Sequence, residues 1–397
     1  MKHVHLRLIS ADNNNNRDYI MTQTGPDRWV AEYGRYGAQM FKKPYKMNMW
    51  EKIYEQKLCE GYTEITSLKQ IIADRVCKYK EIVNNQVAKV VEKLLWYTNK
   101  TIESNYKIKT SEATIEMVEK AQSYMDLLSP TLPLDDFNKI LEHLFTVLPR
   151  KMKNVKDYIA IEKSDYLSII EREQDLLDAF YTKVLQETRS VKRINESSNK
   201  DEITILEEMG LEIEPCSETD ITLIKKLLGK NAKQFDEAFL VRNIETEKMF
   251  IKHCKDNNIG TKDIHLLFHG SKNENFWSIL CNGLKLRNNA KKTAHMFGHG
   301  LYFANLAQKS IGYTSLWGAH WTHGTSDEGY LAIFNVAYKN PLDVYKFNAL
   351  YPQYTYDDIN KQGKDALFAH AGSSIINDEI IIYNENQMTI KYLVRIK

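Results

Sequence analysis

The chain has 397 residues, with 54 Lys and Arg against 52 Asp and Glu, so its formal net charge is only +2 at pH 7. This balance, with 43% apolar residues, argues against a disordered chain and against a protein that coats nucleic acid through bulk basicity. No apolar run approaches the ~20 residues needed to cross a bilayer, and the start reads as neither a secretory signal nor a transit peptide. We therefore expect an intracellular protein that does not engage a membrane.

The five cysteines are spread widely and form no C-x-x-C pair. A structural zinc site needs clustered soft ligands, and a disulfide framework needs paired cysteines. We expect reduced thiols and no metal.

Residues 1–66 are predicted to form a small β-rich unit closed by a helix. Apolar and polar residues alternate along residues 3–8, which is typical of a half-buried strand, and two short strands are predicted at 18–24 and 28–33. A tight glycine turn at residues 33–37 places an arginine between aromatic rings. Apolar residues at helical spacing from Trp50 predict the closing helix.

The pattern then changes to helices. Apolar stripes run at helical spacing through residues 87–95, 115–125 and 137–145, and the helical pattern continues from 164 to 189. Residues 195–201 are polar enough for an exposed loop. This part is predicted to be an all-α bundle.

The last part of the chain reads as strands again. Residues 264–268, 329–337, 379–383 and 388–396 are rich in Ile, Leu, Tyr and Val and have the length of strands. The order strands, helices, strands predicts an α+β multidomain protein.

Three segments of this last part combine polar groups with glycines and strand ends. They are His269-Gly270-Ser271, the run 296–305 followed by Lys309, Ser310 and Tyr313, and the acidic strand start at Glu379. Glycine lets a ligand approach the backbone, tyrosines can line a flat slot, and a carboxylate entering an apolar strand is suited to electrostatic catalysis. Taken singly, each segment is more often structural than functional, because a lone histidine beside glycine is usually a satisfied structural residue.

Together the three segments resemble the catalytic domain of the poly(ADP-ribose) polymerases, with the family's triad in order as His269, Tyr302 and Glu379. The helical middle resembles the family's regulatory helical domain, and Tyr33-Gly34-Arg35 resembles the Trp-Gly-Arg of its WGR domain. The resemblance implies a WGR-like domain at 1–66, a linker at 67–84, a regulatory helical domain at 85–230 and a mixed α+β ADP-ribosyltransferase domain at 231–397.

The resemblance implies that NAD is the substrate. His269 would hold the adenosine ribose, Gly270 and Ser310 would bind the nicotinamide carboxamide, and Tyr302 and Tyr313 would sandwich the nicotinamide ring. Glu379 would bind the nicotinamide-side ribose. Ser271 and Lys309 complete the implied NAD site. His299, Lys285 and His295 depart from the residues of the best-known members, which bears on NAD affinity and acceptor choice.

The resemblance also implies DNA ends or nicks as partners. An aromatic beside an arginine could stack on a base or sugar while nearby lysines engage phosphate, which makes Tyr33, Gly34, Arg35, Lys42 and Lys43 candidate contacts. Arg35 could instead relay to the helical domain, or these residues could form a solvated surface with a core tyrosine.

The predicted function is transfer of ADP-ribose, as chains or single units, to protein acceptors including the chain itself. DNA breaks would activate it, and the helical domain would restrain it. If the source is eukaryotic, the resemblance implies the nucleus and a role in DNA repair. One alternative is a catalytically idle DNA- or NAD-binding scaffold, and another is an interaction protein with a coincidental set of motifs.

Overall fold

The computed structural model describes residues 1–66, 79–196, 202–286, 296–372 and 374–397. It is a mixed α+β protein with three sheets, as the sequence predicts at this level. Within these residues, no helix is both long and apolar enough to span a bilayer. Residues 197–201 of the predicted loop and most of the predicted linker lie outside the described residues, whereas residues 195 and 196 end a helix.

The chain divides into two compact units, and the division falls inside two long helices. The first unit comprises the described parts of Met1–Val76 and Ile102–Thr188, and the second those of Cys77–Thr101 and Arg189–Lys397.

The first unit contains an antiparallel five-stranded sheet in the order β4-β3-β2-β1-β5, with helix α1 packed on it. The predicted strands and closing helix are confirmed, whereas β4 was not predicted. The elements are β1 (His3–Ser10), β2 (Asn15–Gly25), β3 (Arg28–Arg35), β4 (Phe41–Lys46), α1 (Trp50–Cys59) and β5 (Thr63–Glu64).

Strand β1 is buried on both faces, so the predicted solvent-facing side is wrong. His5 Nε2 lies 2.8 Å from Asp18 Oδ2, and Arg7 donates to both carboxylate oxygens of Asp18 at 2.7 and 2.9 Å. The Arg7 guanidinium also lies 4.1 Å from the centre of the Tyr36 ring and donates to the carbonyl of Thr146. A charged side chain is tolerated there because its partners replace water.

The helices of the first unit bury the predicted apolar stripes of 115–125 and 137–145 in one core. Thr114 caps the helix at 115–127, because its side chain accepts a hydrogen bond from the Met117 amide. The α-helices of the described residues between 79 and 196 are α2 (Asn85–Asn105), α3 (Ile115–Leu127), α4 (Leu134–Val147) and α5 (Tyr166–Glu196).

The second unit is built on two sheets. One is antiparallel, in the order β6-β7-β14-β10-β8, and the other has the order β11-β12-β13-β9 with β11 and β12 parallel. The elements are α6 (Ile205–Met209), β6 (Leu211–Pro215), α7 (Glu218–Leu228), β7 (Phe235–Asn243), α8 (Ile244–Asp256), β8 (Ile264–Gly270), α9 (Phe276–Asn282), β9 (Leu301–Phe303), α10 (Ala307–Ile311), β10 (Gly329–Ala337), β11 (Pro341–Val344), α11 (Tyr356–Asn360), β12 (Ala366–Ala369), β13 (Glu379–Ile382) and β14 (Met388–Ile396). The four predicted strands are confirmed as β8, β10, β13 and β14.

Elements upstream of residue 230 also belong to the core of the second unit. Strand β6 pairs with β7, and α7 packs Ile224 and Leu228 against the antiparallel sheet. The start of α2 contributes Val87, Val90 and Leu94 to a separate apolar cluster in the core of this unit. The boundary at 230 stays a prediction, but these elements pack with the sheet rather than with the helices of 115–188.

Candidate active site

A backbone bridge joins the two sheets of the second unit. The Phe268 amide donates to the Ala304 carbonyl at 2.8 Å, and the Ala304 amide donates back to the Phe268 carbonyl at 3.0 Å. The end of β8 therefore lies beside the end of β9. The register pairs Tyr302 with Ile381, and because side chains alternate along a strand, Glu379 lies on the same sheet face as Tyr302.

His269 is held in one tautomer by the neighbouring strand. Its Nδ1 lies 3.2 Å from the Tyr302 carbonyl oxygen, and the edges of Phe303 and Phe334 surround its ring. Burial lowers the pKa of His269, so the imidazole is neutral at pH 7. With Nδ1–H donating to the carbonyl, Nε2 carries a lone pair that can accept a hydrogen bond from a sugar hydroxyl.

Gly270 is required by a close backbone contact. A Cβ at this position would lie 1.8 Å from the carbonyl oxygen of Ser310, which is itself buried on α10. The end of β8 and helix α10 therefore lie closer together than any other residue at 270 would permit. The adjacent Ser271 accepts a hydrogen bond from Asn275 Nδ2 at 3.0 Å.

Two hydrogen bonds fix the Tyr302 side chain at its hydroxyl end. Its hydroxyl donates to the Gly298 carbonyl at 2.9 Å and accepts from the Phe297 amide at 3.1 Å. Burial raises the pKa of Tyr302 far above its usual value, so the phenol stays protonated. Gly298 makes the turn with φ +83°, a conformation that favours glycine.

Glu379 is paired with Lys309. The Lys309 ammonium contacts Glu379 Oε1, and both side chains are about 15% exposed. The neighbouring Asp378 anchors the start of β13, because it accepts hydrogen bonds from Asn305 Nδ2 at 2.9 Å and from the Ala371 amide at 2.7 Å. The carboxylate of Glu379 is thus held in one orientation by its lysine partner.

Tyr313 stands at the end of the turn after α10 and is 38% exposed. Its ring stacks on that of Trp321, with centroids 6.0 Å apart and planes 23° apart. Trp321 and Asp378 were not predicted as site residues. The density of aromatic residues at 313–321 could have indicated Trp321 as a site residue. The Asn-Asp-Glu sequence could have indicated Asp378.

Contacts in the second unit thus join most of the predicted NAD-site residues. Direct contacts link His269 to Tyr302, Gly270 to Ser310 and Lys309 to Glu379. The roles of individual residues stay predictions. Three residues were noted above as differing from those of the best-known family members. Lys285 pairs with Glu385 at 2.9 Å, and His299 is buried. His295 lies outside the described residues.

The predicted DNA contacts lie in the first unit. Tyr33 packs between Tyr19 and Phe41, with ring centroids 5.8 and 5.9 Å away. The next residue, Gly34, lies close to the segment that precedes β4, since a Cβ at Gly34 would lie 3.2 Å from the Gln39 carbonyl oxygen.

Arg35 and the two lysines differ in their surroundings. Arg35 donates to the carbonyls of Asn14 and Lys153 at 3.3 and 2.9 Å. Lys42 is exposed on β4 and pairs with Glu32 at 2.5 Å, while the Lys43 ammonium lies 5.1 Å from the Tyr45 ring.

Comparison with known proteins agrees with this geometry. Residues 218–350 match the family model of the poly(ADP-ribose) polymerase catalytic domain. The matched range contains His269 and Tyr302 and ends before Glu379.

Two similar proteins come from Invertebrate iridescent virus 6. Uncharacterized protein 101L is 28% identical over 229 residues, which is 56% of this chain and 94% of the viral protein. Putative poly [ADP-ribose] polymerase-like 100L is 29% identical over 184 residues, covering 45% of this chain and 93% of its own length.

The poly [ADP-ribose] polymerase of Drosophila melanogaster is 30% identical over 155 residues. That match covers 33% of this chain but only 15% of the fly protein. The predicted likeness to a poly(ADP-ribose) polymerase catalytic domain is confirmed. The WGR and regulatory helical domains, and activation by DNA, stay predictions.

Proposed function

We propose that this chain is an NAD-dependent ADP-ribosyltransferase that releases nicotinamide and transfers ADP-ribose to protein acceptors. The observation that carries the proposal is the Lys309–Glu379 pair on the same sheet face as Tyr302. The match of residues 218–350 to the catalytic domain of this family supports it.

The site suits cleavage of the bond between ribose and nicotinamide. As that bond breaks, its electron pair leaves with the neutral nicotinamide, and positive charge develops on the ribose. The Glu379 carboxylate would accept a hydrogen bond from a hydroxyl of this ribose and so stabilise the positive charge. Nε2 of neutral His269 would accept a hydrogen bond from a hydroxyl of the adenosine ribose. The acceptor nucleophile then bonds to the ribose carbon and gives up its proton.

The nicotinamide would lie between Tyr302 and Tyr313, with its carboxamide hydrogen-bonded by the Gly270 backbone and the Ser310 hydroxyl. The close approach of Gly270 to Ser310 supports this assignment, because it puts the two groups beside each other. Orientation of this kind lowers the entropy cost of reaching the transition state.

Glu379→Gln tests the proposal. The amide keeps the size of the side chain but loses its charge, so we expect NAD binding to persist and transfer to fall by ~10²–10³-fold. The assay follows labelled NAD, both bound to the protein and transferred to it. Binding without transfer by the wild-type chain would favour the idle scaffold instead, and near-normal turnover by the variant would reject the role of Glu379.

We further propose that DNA ends or nicks activate the enzyme through residues 1–66. The exposed Phe41 beside Lys42 and Lys43 on the edge strand β4 offers a stacking surface with cations, although Glu32 partly neutralises Lys42. Few phosphates would be neutralised, so binding should depend only modestly on salt. Transfer of label in the presence and absence of nicked DNA tests the activation.

Arg35 suits the relay interpretation better than a DNA contact. Its guanidinium already donates to the carbonyls of Asn14 and Lys153, and residue 153 lies in the proposed helical domain. We expect Arg35→Ala to keep DNA affinity and lose DNA stimulation, whereas Lys43→Glu should lose affinity. Loss of affinity in Arg35→Ala would instead make the arginine a DNA contact.

The proposed restraint by the helices is best tested with point substitutions. Deleting 85–230 would remove α2, β6 and α7 from the core of the second unit. The Tyr97 hydroxyl on α2 donates to Glu328 Oε1 at 2.8 Å. Tyr97→Phe therefore removes this one hydrogen bond and leaves the helix in place. Restraint predicts higher basal activity without DNA, and unchanged or lower activity would count against it.

A further inference from the structure

The loop after α10 places a second aromatic ring against Tyr313. The Trp321 ring stacks on Tyr313 and also covers Gly312, where an added Cβ would lie 3.1 Å from Trp321 Cδ1. The Trp321 amide donates to the Gly312 carbonyl at 2.9 Å. The indole is nevertheless 60% exposed, so filling the protein core does not account for its position.

The loop holds Trp321 by its backbone. The Trp317 amide donates to the Ser326 carbonyl at 2.8 Å, and the Ser326 amide donates to the Ser315 carbonyl at 2.9 Å. The Thr322 hydroxyl donates to the Thr314 carbonyl. These bonds close the loop on itself, so the indole is pre-positioned beside Tyr313 before any ligand arrives.

We propose that Trp321 is a positioning residue that supports Tyr313 as a wall of the nicotinamide slot, which rests on the proposed function. Tyr313 is partly exposed, and Trp321 is one of the neighbours that limit the turning of its ring about its side-chain bonds. Stacking on Trp321 restricts that rotation, so less conformational entropy is lost when the nicotinamide ring binds. Trp321 acts through Tyr313 and takes no part in the chemical step.

Trp321→Ala removes the stacked ring. An aromatic pair of this kind corresponds to an effect of about 2- to 10-fold on an equilibrium constant. We expect the KM for NAD and the inhibition constant of free nicotinamide to rise together by that factor, with kcat nearly unchanged. Trp321→Phe keeps an aromatic ring and should restore both constants.

Trp317→Ala is the matched control. Trp317 lies in the same loop and is 76% exposed, and its backbone bond to Ser326 survives the substitution. Both constants should therefore match those of the wild type. Equal changes in the two alanine variants would mean that the loop as a whole, and not the stacked ring, matters.

Three further outcomes would overturn the inference. Unchanged constants in Trp321→Ala, with an active wild type, would reject it and leave the proposed function standing. A lower KM in that variant would mean that the indole obstructs the slot. A wild-type chain that neither binds nor cleaves NAD would reject the proposed function, and this inference with it.

Discussion

Replacing Gly270 by alanine tests whether the close approach of β8 and α10 builds the nicotinamide site. The new Cβ would lie 1.8 Å from the Ser310 carbonyl oxygen and 2.7 Å from its carbon. An ordinary carbon–oxygen contact is ~3.3 Å, so the strand and the helix must separate by about 1.5 Å. The contact is with backbone, so no side-chain rotation can relieve it.

This displacement should affect activity more than folding. Overpacking of this kind costs about 1–3 kcal/mol in the free energy of unfolding, whereas a misplacement of about 1 Å at a catalytic site can cost 10²-fold in rate. We expect Gly270→Ala to fold, with a lower melting temperature, and to release nicotinamide from NAD roughly 10²-fold more slowly than the wild type.

The assay is single-turnover release of nicotinamide, with thermal unfolding measured on the same samples. Gly372→Ala is the control, because a Cβ at residue 372 meets nothing within 4 Å. Wild-type turnover by Gly270→Ala would refute the reasoning. Equal losses in both variants would show that any glycine replacement in this unit has the same effect.

Two other predictions concern charged pairs. Lys309→Met removes the cation that holds the Glu379 carboxylate, so NAD cleavage should slow by up to about 10²-fold as the carboxylate loses its fixed orientation; wild-type turnover by this variant would contradict the pairing. Asp18→Asn should destabilise the first unit by about 3–5 kcal/mol in denaturant unfolding, because Arg7 stays buried without its counter-charge, and a loss below about 1 kcal/mol would contradict this.

The Asp18 cluster also predicts how stability depends on pH. Burial alone would raise the pKa of Asp18, but hydrogen bonds from His5 and Arg7, with the charge of Arg7, outweigh it and hold the pKa well below 3.8. The unfolded chain therefore binds more protons, so this stabilisation is present above about pH 4 and is lost progressively on acidification. Acid unfolding of wild type and Asp18→Asn should show it, since the variant should lack this pH dependence.

Periodicity predicted the helices well, because each apolar stripe records one buried face. It misjudged β1, since alternation cannot reveal that the polar face is covered too. The residues that cover it, Thr146 among them, lie far along the chain, and burial of Arg7 becomes visible only when these segments meet. Strand β4 was missed because Pro44 and three lysines hide its pattern, which only an edge strand tolerates.

The candidate site was predicted in part for a different reason. His269, Tyr302 and Glu379 stand in short motifs whose order along the chain is distinctive, so the resemblance predicts them as site residues without any geometry. The support behind them could not be found that way. Trp321 approaches Tyr313 through a loop of irregular conformation, and no period in the sequence predicts which of its aromatic residues will stack.

The bridge between Phe268 and Ala304 has a consequence for how such a site diverges. It is made only of amide and carbonyl groups, so no change of side chain at either residue removes its donors and acceptors, proline excepted. The alignment of His269 with Tyr302 is therefore encoded in backbone pairing and not in residue identity. Side chains in the loops around the site can therefore be exchanged without removing the backbone pairing that aligns these two residues.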